Sequence, residues 1–230
     1  MSGRSPRWFT GIKPPYEANF ADNTWKQIIS VCQKGIVPLS WKVGDQKSMT
    51  IGGTDYLIDI IGINHDTYTA GGTAPLTFQL HDCYAGKKAM NSSNTNSGGW
   101  TSCDMRSAHL PAILALMPTE VQNGIREVSK LTSAGSQSAT INTTSDKLFL
   151  LSEVEIFGST VYSVAGEGTQ YDYYKAGNSR VKNRNGSAAV WWGRSPRVSS
   201  TVNFCLVSNR GRTSTIGANN AYGVAFCFCF

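Results

Sequence analysis

The stretch Tyr222-Gly-Val-Ala-Phe-Cys-Phe-Cys-Phe230 carries the strongest strand signal in the chain. Alternation puts Tyr222, Val224, Phe226, Phe228 and Phe230 on one face, with Gly223, Ala225, Cys227 and Cys229 on the other. Neither face holds a charge, so the segment reads as a strand covered on both sides. Working back from it, Leu76-Thr-Phe-Gln-Leu80 reads as another strand, and Lys147–Leu151 as a short apolar one. Ser48–Ile51 and Thr54–Ile63 flank Gly52-Gly53, the signature of a hairpin with a tight primed turn. Asp22 or Asn23 can cap a helix bearing Trp25, Ile28, Ile29 and Cys32 on one face, closed by Gly35.

Helical segments are expected over Ser102–Leu110, interrupted beyond by Pro111 and Pro118, and over Thr119–Val128 with Thr119 as cap. Asn91–Gly99 reads as a polar loop and Ser133–Thr144 as a Gly/Ser/Thr-rich strand or loop. Ser152 caps a helical turn with Glu153 and Glu155 at its positive end. Strands and helices do not alternate regularly, which points to an α+β fold. Residues 1–20, rich in Pro, Gly and aromatics, read as an arm able to pack on its own domain or on a neighbouring subunit. Residues 21–230 read as one domain.

A 230-residue chain with 40% hydrophobic and 16% charged residues has enough apolar content for a real core. No apolar run is long enough to span a bilayer. No apolar stretch follows Met1–Arg7, so no secretory signal is visible. Motifs of the HExxH, GxSxG, Walker and GxGxxG types are missing, which argues against an enzyme built on them. The formal charge of +6 is confined to the last quarter: Tyr173–Phe230 holds eight basic residues and no acidic one. No nucleic-acid motif accompanies these charges, so a basic binding or assembly face is favoured over a nucleic-acid patch. Without a CxxC pair, the six cysteines read mostly as small buried hydrophobes. His65, His81 and Cys83 lack the spacing of a zinc site, and no metal or other cofactor is expected.

Several motifs fall in order: Trp41-Lys-Val-Gly-Asp45, Gly62-Ile-Asn-His65, Gly98-Gly-Trp100 with Met105-Arg106, and Leu150-Leu-Ser-Glu-Val-Glu-Ile-Phe-Gly158. They continue with Tyr171-Asp-Tyr-Tyr174, Trp191-Trp-Gly-Arg-Ser-Pro196, Phe204-Cys205 and Tyr222-Gly-Val-Ala-Phe226. Together, over about residues 22–230, they resemble a domain family of unassigned function abundant in phages and bacteria of animal guts. The resemblance implies a divergent C-type-lectin fold with irregular loops and a buried C-terminal strand, related in architecture to formylglycine-generating enzymes. Members are often phage tail proteins, and some resemble the variable proteins of diversity-generating retroelements. One departure is Gly193, where relatives commonly carry Leu in a Trp-Leu-Arg-Ser-Pro run. Neither the copper-binding cysteine pair of formylglycine-generating enzymes nor the calcium-site triplets of sugar-binding lectins is reproduced.

Adenine mutagenesis of Asn codons cannot yield Lys, Glu, Gln, Met or Trp. These five types make up 35 of residues 1–192 and none of residues 193–230, which favours a variable region over about 193–221. The expected ligand-binding surface is Arg197, Val198, Ser200, Thr201, Val202, Leu206, Ser208, Asn209, Arg212, Thr213, Ser214, Thr215 and Ile216, converging on one exposed face. Arg194 is expected to be buried against Glu153 or Glu155 as a structural ion pair; a catalytic carboxylate pair is the competing reading. Trp191 and Trp192 read as core, with sugar stacking as the alternative. The resemblance implies a receptor-binding protein on a phage tail or at a host cell surface. Its partners would be a host surface protein or glycan and other tail proteins. A homo-oligomer is expected, with a trimer favoured, and neither nucleic acid nor membrane. The alternative is a structural tail or capsid component that uses the fold for assembly.

Overall fold

The apolar C-terminal segment sits in the middle of the main sheet. The computed structural model describes residues 15–230. The main sheet is antiparallel and is built from β1 (Gln46–Ile51), β2 (Thr54–Ile63), β3 (Leu76–Leu80), β6 (Leu148–Phe149) and β12 (Cys227–Cys229), in the order β1-β2-β3-β12-β6. Phe228 lies opposite Phe78 of β3 and Leu148 of β6. Ladder pairing covers only 227–229, but 223–226 is buried as well and Tyr222 is half-buried. The Leu80 and Tyr84 amides donate to the Phe226 and Val224 carbonyls, and Gln79 Nε2 donates to the Ala225 carbonyl. Every residue from Gly223 to Phe230 is buried.

Gly52 and Gly53 both adopt positive φ between β1 and β2, the geometry of the primed hairpin turn. Helix α1 (Trp25–Gln33) lays Trp25 against Phe78, Phe228 and Phe230. Its cap is Thr24, in a capping box with Gln27, and neither Asp22 nor Asn23. The Asn23 carboxamide is buried and stitches the preceding turn, donating to the Glu17, Asn19 and Phe20 carbonyls and accepting from the Glu17 amide. Within the expected arm, Phe20 is buried and packs on Trp41 and Phe78, and Tyr16 meets the Trp41 edge. Residues 1–14 lie outside the described residues.

After α2 (Gly99–Ser102) and a break at Cys103, the helix expected over Ser102–Leu110 runs without interruption through a π-turn (Met105–His109) into α3 (Leu110–Leu114), past Pro111, which was expected to interrupt it. Pro111 follows directly on the π-turn, where the Leu110 amide already bonds five residues back to the Met105 carbonyl, so the missing proline N–H falls where the helical ladder has shifted. A Cβ on Gly99 would lie 2.1 Å from the Ser133 carbonyl, so α2 can approach the neighbouring hairpin only with glycine at this point. Helix α4 (Thr119–Gly124) is capped at Pro118, not Thr119, and stops four residues short of the expected end at Val128, where β4 (Val128–Gly135) begins. β4 and β5 (Ser138–Asp146) form a long hairpin. Its turn uses Ser136 and Gln137 at positive φ, so no glycine pair marks it in the sequence.

Helices α5 (Glu153–Phe157) and α6 (Asp172–Lys175) precede a small hairpin of β7 (Lys182–Arg184) and β8 (Ser187–Ala189). A second, three-stranded antiparallel sheet has the order β11-β10-β9, from β9 (Trp191–Pro196), β10 (Asn203–Val207) and β11 (Thr213–Gly217). The protein is thus a mixed α+β domain with several antiparallel sheets. All six cysteines are buried and unpaired. No helix among the described residues is long and apolar enough to cross a membrane.

Candidate binding surface

Ser152 caps α5 through the Glu155 amide, and Glu155 returns a bond to the Ser152 amide. This capping box fixes both Glu153 and Glu155 at the base of the second sheet, each buried. Arg194, fully buried on β9, reaches Glu155 with both Nη atoms. It also donates to Thr132 Oγ1 at 2.9 Å and to the Leu131, Leu150 and Glu167 carbonyls at 2.9–3.0 Å. Of the two expected partners, Glu155 is therefore the one that pairs with Arg194. Glu155 is shared with buried Lys130 at 2.7 Å, and Lys130 reaches Asp66 at 2.8 Å. Asp66 in turn accepts from Thr77 at 2.5 Å and Tyr171 at 2.7 Å.

Burial alone would raise both acids. For Glu155 the charges of Arg194 and Lys130 outweigh it and lower the pKa. For Asp66, the Lys130 charge and the bonds from Lys130, Thr77 and Tyr171 hold the carboxyl at about 2. Nearby Glu167 goes the other way: burial raises it, although it accepts from the Ser133 amide and from Ser195 Oγ. A cluster of two cations and two ionised acids, each with its lone pairs or protons occupied, can stay buried at low net cost.

Glu153 faces outward from the same turn and organises the chain above. Its Oε2 accepts from the amides of Val161, Tyr162 and Ser163 at 2.8–3.0 Å and from Ser163 Oγ at 2.9 Å. Its Oε1 accepts from Thr213 Oγ1 at 2.5 Å. The Tyr162 carbonyl then accepts from the Val198 amide at 2.8 Å, and the Arg197 guanidinium lies 5.4 Å over the Tyr162 ring. Fully buried Asn96 anchors the same loop from the other side. It donates to the Ser200 and Asn203 carbonyls and accepts from the Ser136 amide. Nothing in the polar stretch 91–99 distinguishes Asn96 from its neighbours, so this anchor has no sequence signal.

The thirteen expected surface residues divide. Val198, Thr201, Asn209 and Arg212 are exposed. Arg197, Val202 and Ser208 are half-buried, and Ser200 and Ser208 are committed to turns: Ser200 Oγ accepts from the Val202 and Asn203 amides, Ser208 Oγ from the Arg210 and Arg212 amides. Leu206 is not on the surface. It lies on the central strand β10 and is 5% exposed, because Phe204–Val207 is covered on both faces. Nor is 206–216 without regular structure: 203–207 and 213–217 pair as a hairpin. Alternation along β11 sends Thr213 and Thr215 to the face carrying Glu153 and Arg197, and Ser214 and Ile216 to the opposite face. One converging face is therefore corrected to two faces of an edge strand, plus loops 197–202 and 208–212. Arg210, exposed beside Arg212, extends this surface and was outside the expected set.

Trp191 and Trp192 are fully buried, their indole N–H groups donating to the Arg180 and Lys88 carbonyls. The basic segment is not all surface either. Lys182 is buried, with its ammonium on the Leu80 and His81 carbonyls, and burial lowers its pKa. His65 stacks on Tyr171, while His81 bonds buried Asp59. Among the described residues no three His, Cys, Asp or Glu side chains converge to hold a metal ion.

No curated protein and no solved structure matches the chain. A family model does match, from Leu76, the first residue of β3, to Phe230, and so takes in the ionic cluster from Lys130 onward, Glu153 and the whole second sheet. The chain belongs to that family, the Domain of unknown function (DUF6273), matched over residues 76–230.

Proposed function

We propose that this chain is a ligand-binding domain that recognises a host cell-surface protein or glycan from a phage tail. In this reading the fold is a divergent C-type-lectin fold, and a retroelement diversifies about residues 193–221. The observation that carries it is a separation of labour. Val198, Thr201, Asn209 and Arg212 are exposed, and their side chains make no hydrogen bond or ion pair among the described residues. The backbone at Val198 and Thr201 is held by Asn96, by Asn203, and by Glu153 acting through Tyr162, and the turn bearing Asn209 and Arg212 is closed by Ser208. Such a frame accepts many side chains without losing its shape. Arg212 and Arg197, with no acidic residue anywhere in 173–230, favour an acidic or carbohydrate-decorated partner. Both glutamates of the Ser-Glu-Val-Glu turn have their oxygens occupied by structural donors, which favours binding over catalysis.

The test is a displayed library with Val198, Thr201, Asn209 and Arg212 randomised together. Most members should fold, and selection on unrelated surface proteins should enrich different residues at these four positions. A library that mostly fails to fold, or one that selection leaves unchanged there, overturns the reading. Diversification by a retroelement has its own test: a neighbouring reverse transcriptase and a near-identical template repeat in the source DNA. Assembly as a homo-oligomer, a trimer favoured, is checked by light scattering on the full chain.

A further inference from the structure

A cleft of about 200 Å³ opens between the β7–β8 hairpin, the loop before Met90 and the tip of the β10–β11 turn. Lys87, Arg184, Ser187, Asn209 and Tyr222 supply its polar groups, and no carboxylate lines it. Its floor is rigid. Tyr222 and Lys88 exchange both backbone bonds at 3.0 Å, and Trp192 Nε1 donates to the Lys88 carbonyl. The Tyr222 ring stands edge-on to Trp192, with centroids 5.5 Å apart.

Arg184 is the unusual member. Its Nη1 donates to the Ala85 carbonyl at 3.1 Å. Its Nε is buried without any hydrogen-bond partner, and no acidic side chain of the described chain pairs with this guanidinium. Asp82, which meets the neighbouring residue, is engaged with the Asn183 amide. Nη2 makes no hydrogen bond among the described residues, so the guanidinium at the cleft wall keeps a charged donor for an incoming carboxylate, with no acid of the wall to neutralise it.

We propose that this cleft binds a carboxylate-bearing sugar ring, the carboxylate on Arg184 and Lys87 and the ring against Tyr222. The volume suits one such ring and is below the roughly 300–1,000 Å³ of pockets for drug-sized ligands. Aromatic rings beside polar groups are the usual platform for an amphipathic ring of this kind. Only Asn209 belongs to the surface discussed above, so the site does not depend on that surface being variable.

The experiment is an NMR titration of the full chain with glucuronate, glucose and acetate, following backbone amides. Glucuronate should give saturable shifts confined to the amides near 85–88, 184–190 and 222. Glucose, which lacks the anion, and acetate, which lacks the ring, should each bind at least about tenfold more weakly. Lys87 is exposed, so Lys87→Ala should keep the fold and weaken glucuronate about three- to fivefold. Arg184→Gln should weaken it about tenfold or more. Glucose binding as well as glucuronate removes the anion site. Acetate binding as well as glucuronate removes the sugar. Shifts elsewhere in the chain, or full binding by folded Lys87→Ala and Arg184→Gln, overturn the proposal altogether. Failure here leaves the library experiment on Val198, Thr201 and Arg212 unaffected.

Discussion

Arg194, on β9, and Arg212, in the turn just before β11 of the same small sheet, sit eighteen residues apart and live in opposite worlds. Arg194 is fully buried, with six hydrogen bonds to Thr132, Glu155 and three carbonyls. Arg212 is exposed at the hairpin tip, and its side chain bonds nothing in the described chain. The contrast extends to the segments around them. Below lies a network whose every member is fixed by another; above lie loops in which the side chains of Val198, Thr201, Asn209 and Arg212 bond nothing among the described residues while the backbone is held. What differs is where the fold's information is stored. In the lower region it is in side chains, so identity matters. In the upper one it is in backbone bonds and in a few fixed anchors, Asn96, Glu153, Ser200 and Ser208, so identity at Val198, Thr201, Asn209 and Arg212 is spare.

The sharpest way to break this comparison is Arg194→Ala. It leaves Glu155 buried beside Lys130 alone and should destabilise by about 3–5 kcal/mol in urea unfolding. A midpoint equal to the parent's would mean the lower region is as permissive as the upper. Acid gives the next effect. Asp66 has a folded pKa of about 2 against about 3.9 in an unfolded chain, so its contribution is fully present above about pH 5. As pH falls through 4 toward 2, about 2–3 kcal/mol should be lost. Glu167, raised by burial, has the reverse sign: it favours the fold at low pH and loses that contribution as pH rises through its folded pKa. Glu167→Gln should therefore flatten the stability profile above about pH 4, and unfolding midpoints across the pH range read both effects.

The boundary between the regions runs through Thr213, whose hydroxyl is the hydrogen-bonded partner of Glu153 Oε1. Thr213→Val should cost about 1–2 kcal/mol, since it strands a buried carboxylate oxygen. A smaller loss, measured by the same unfolding curves, moves Thr213 into the permissive set. The smallest effects belong to Val198→Ser, Thr201→Ala, Asn209→Ala and Arg212→Ala, each within about 0.5 kcal/mol. Their summed effect should be additive, because no two of these side chains share a bond.

How far the sequence could be read follows from the range of the signals. The Gly52-Gly53 hairpin, β3 and the Ser152 cap are each written within ten residues and found where expected; the C-terminal segment is buried from Gly223 to Phe230 but pairs as a strand only over 227–229. The β10–β11 hairpin was not, because Phe204–Val207 is covered on both faces and lacks the alternation that marks a half-exposed strand. The partners of Arg194 were half legible. Glu155 sits beside Glu153 in a strong local motif, and a buried guanidinium needs an acid. Lys130 and Asp66 were out of reach: they enter from a hairpin and a loop 64 residues apart, and only the fold brings them together. Asn96 shows the same limit, since its role depends on Ser200 and Asn203 more than a hundred residues downstream.

The central place of β12 has a consequence for synthesis. β6 joins the main sheet through β12, and β3, already paired with β2, gains its second neighbour only when the last residues of the chain arrive. While the chain is being made, β3 therefore waits with an open apolar edge for about 150 residues, or some 7–30 s at ordinary elongation rates. Everything between 193 and 221 emerges during that wait, ahead of the strand that closes the sheet. A permissive surface must then be permissive twice: its side chains have to be tolerated on the finished domain, and they also have to leave an unsealed edge alone while the ribosome works toward Cys227. Sequences rich in Ser, Thr, Asn and Arg, with few large apolar residues, meet the second demand, because they offer the waiting edge little to pair with or to aggregate through.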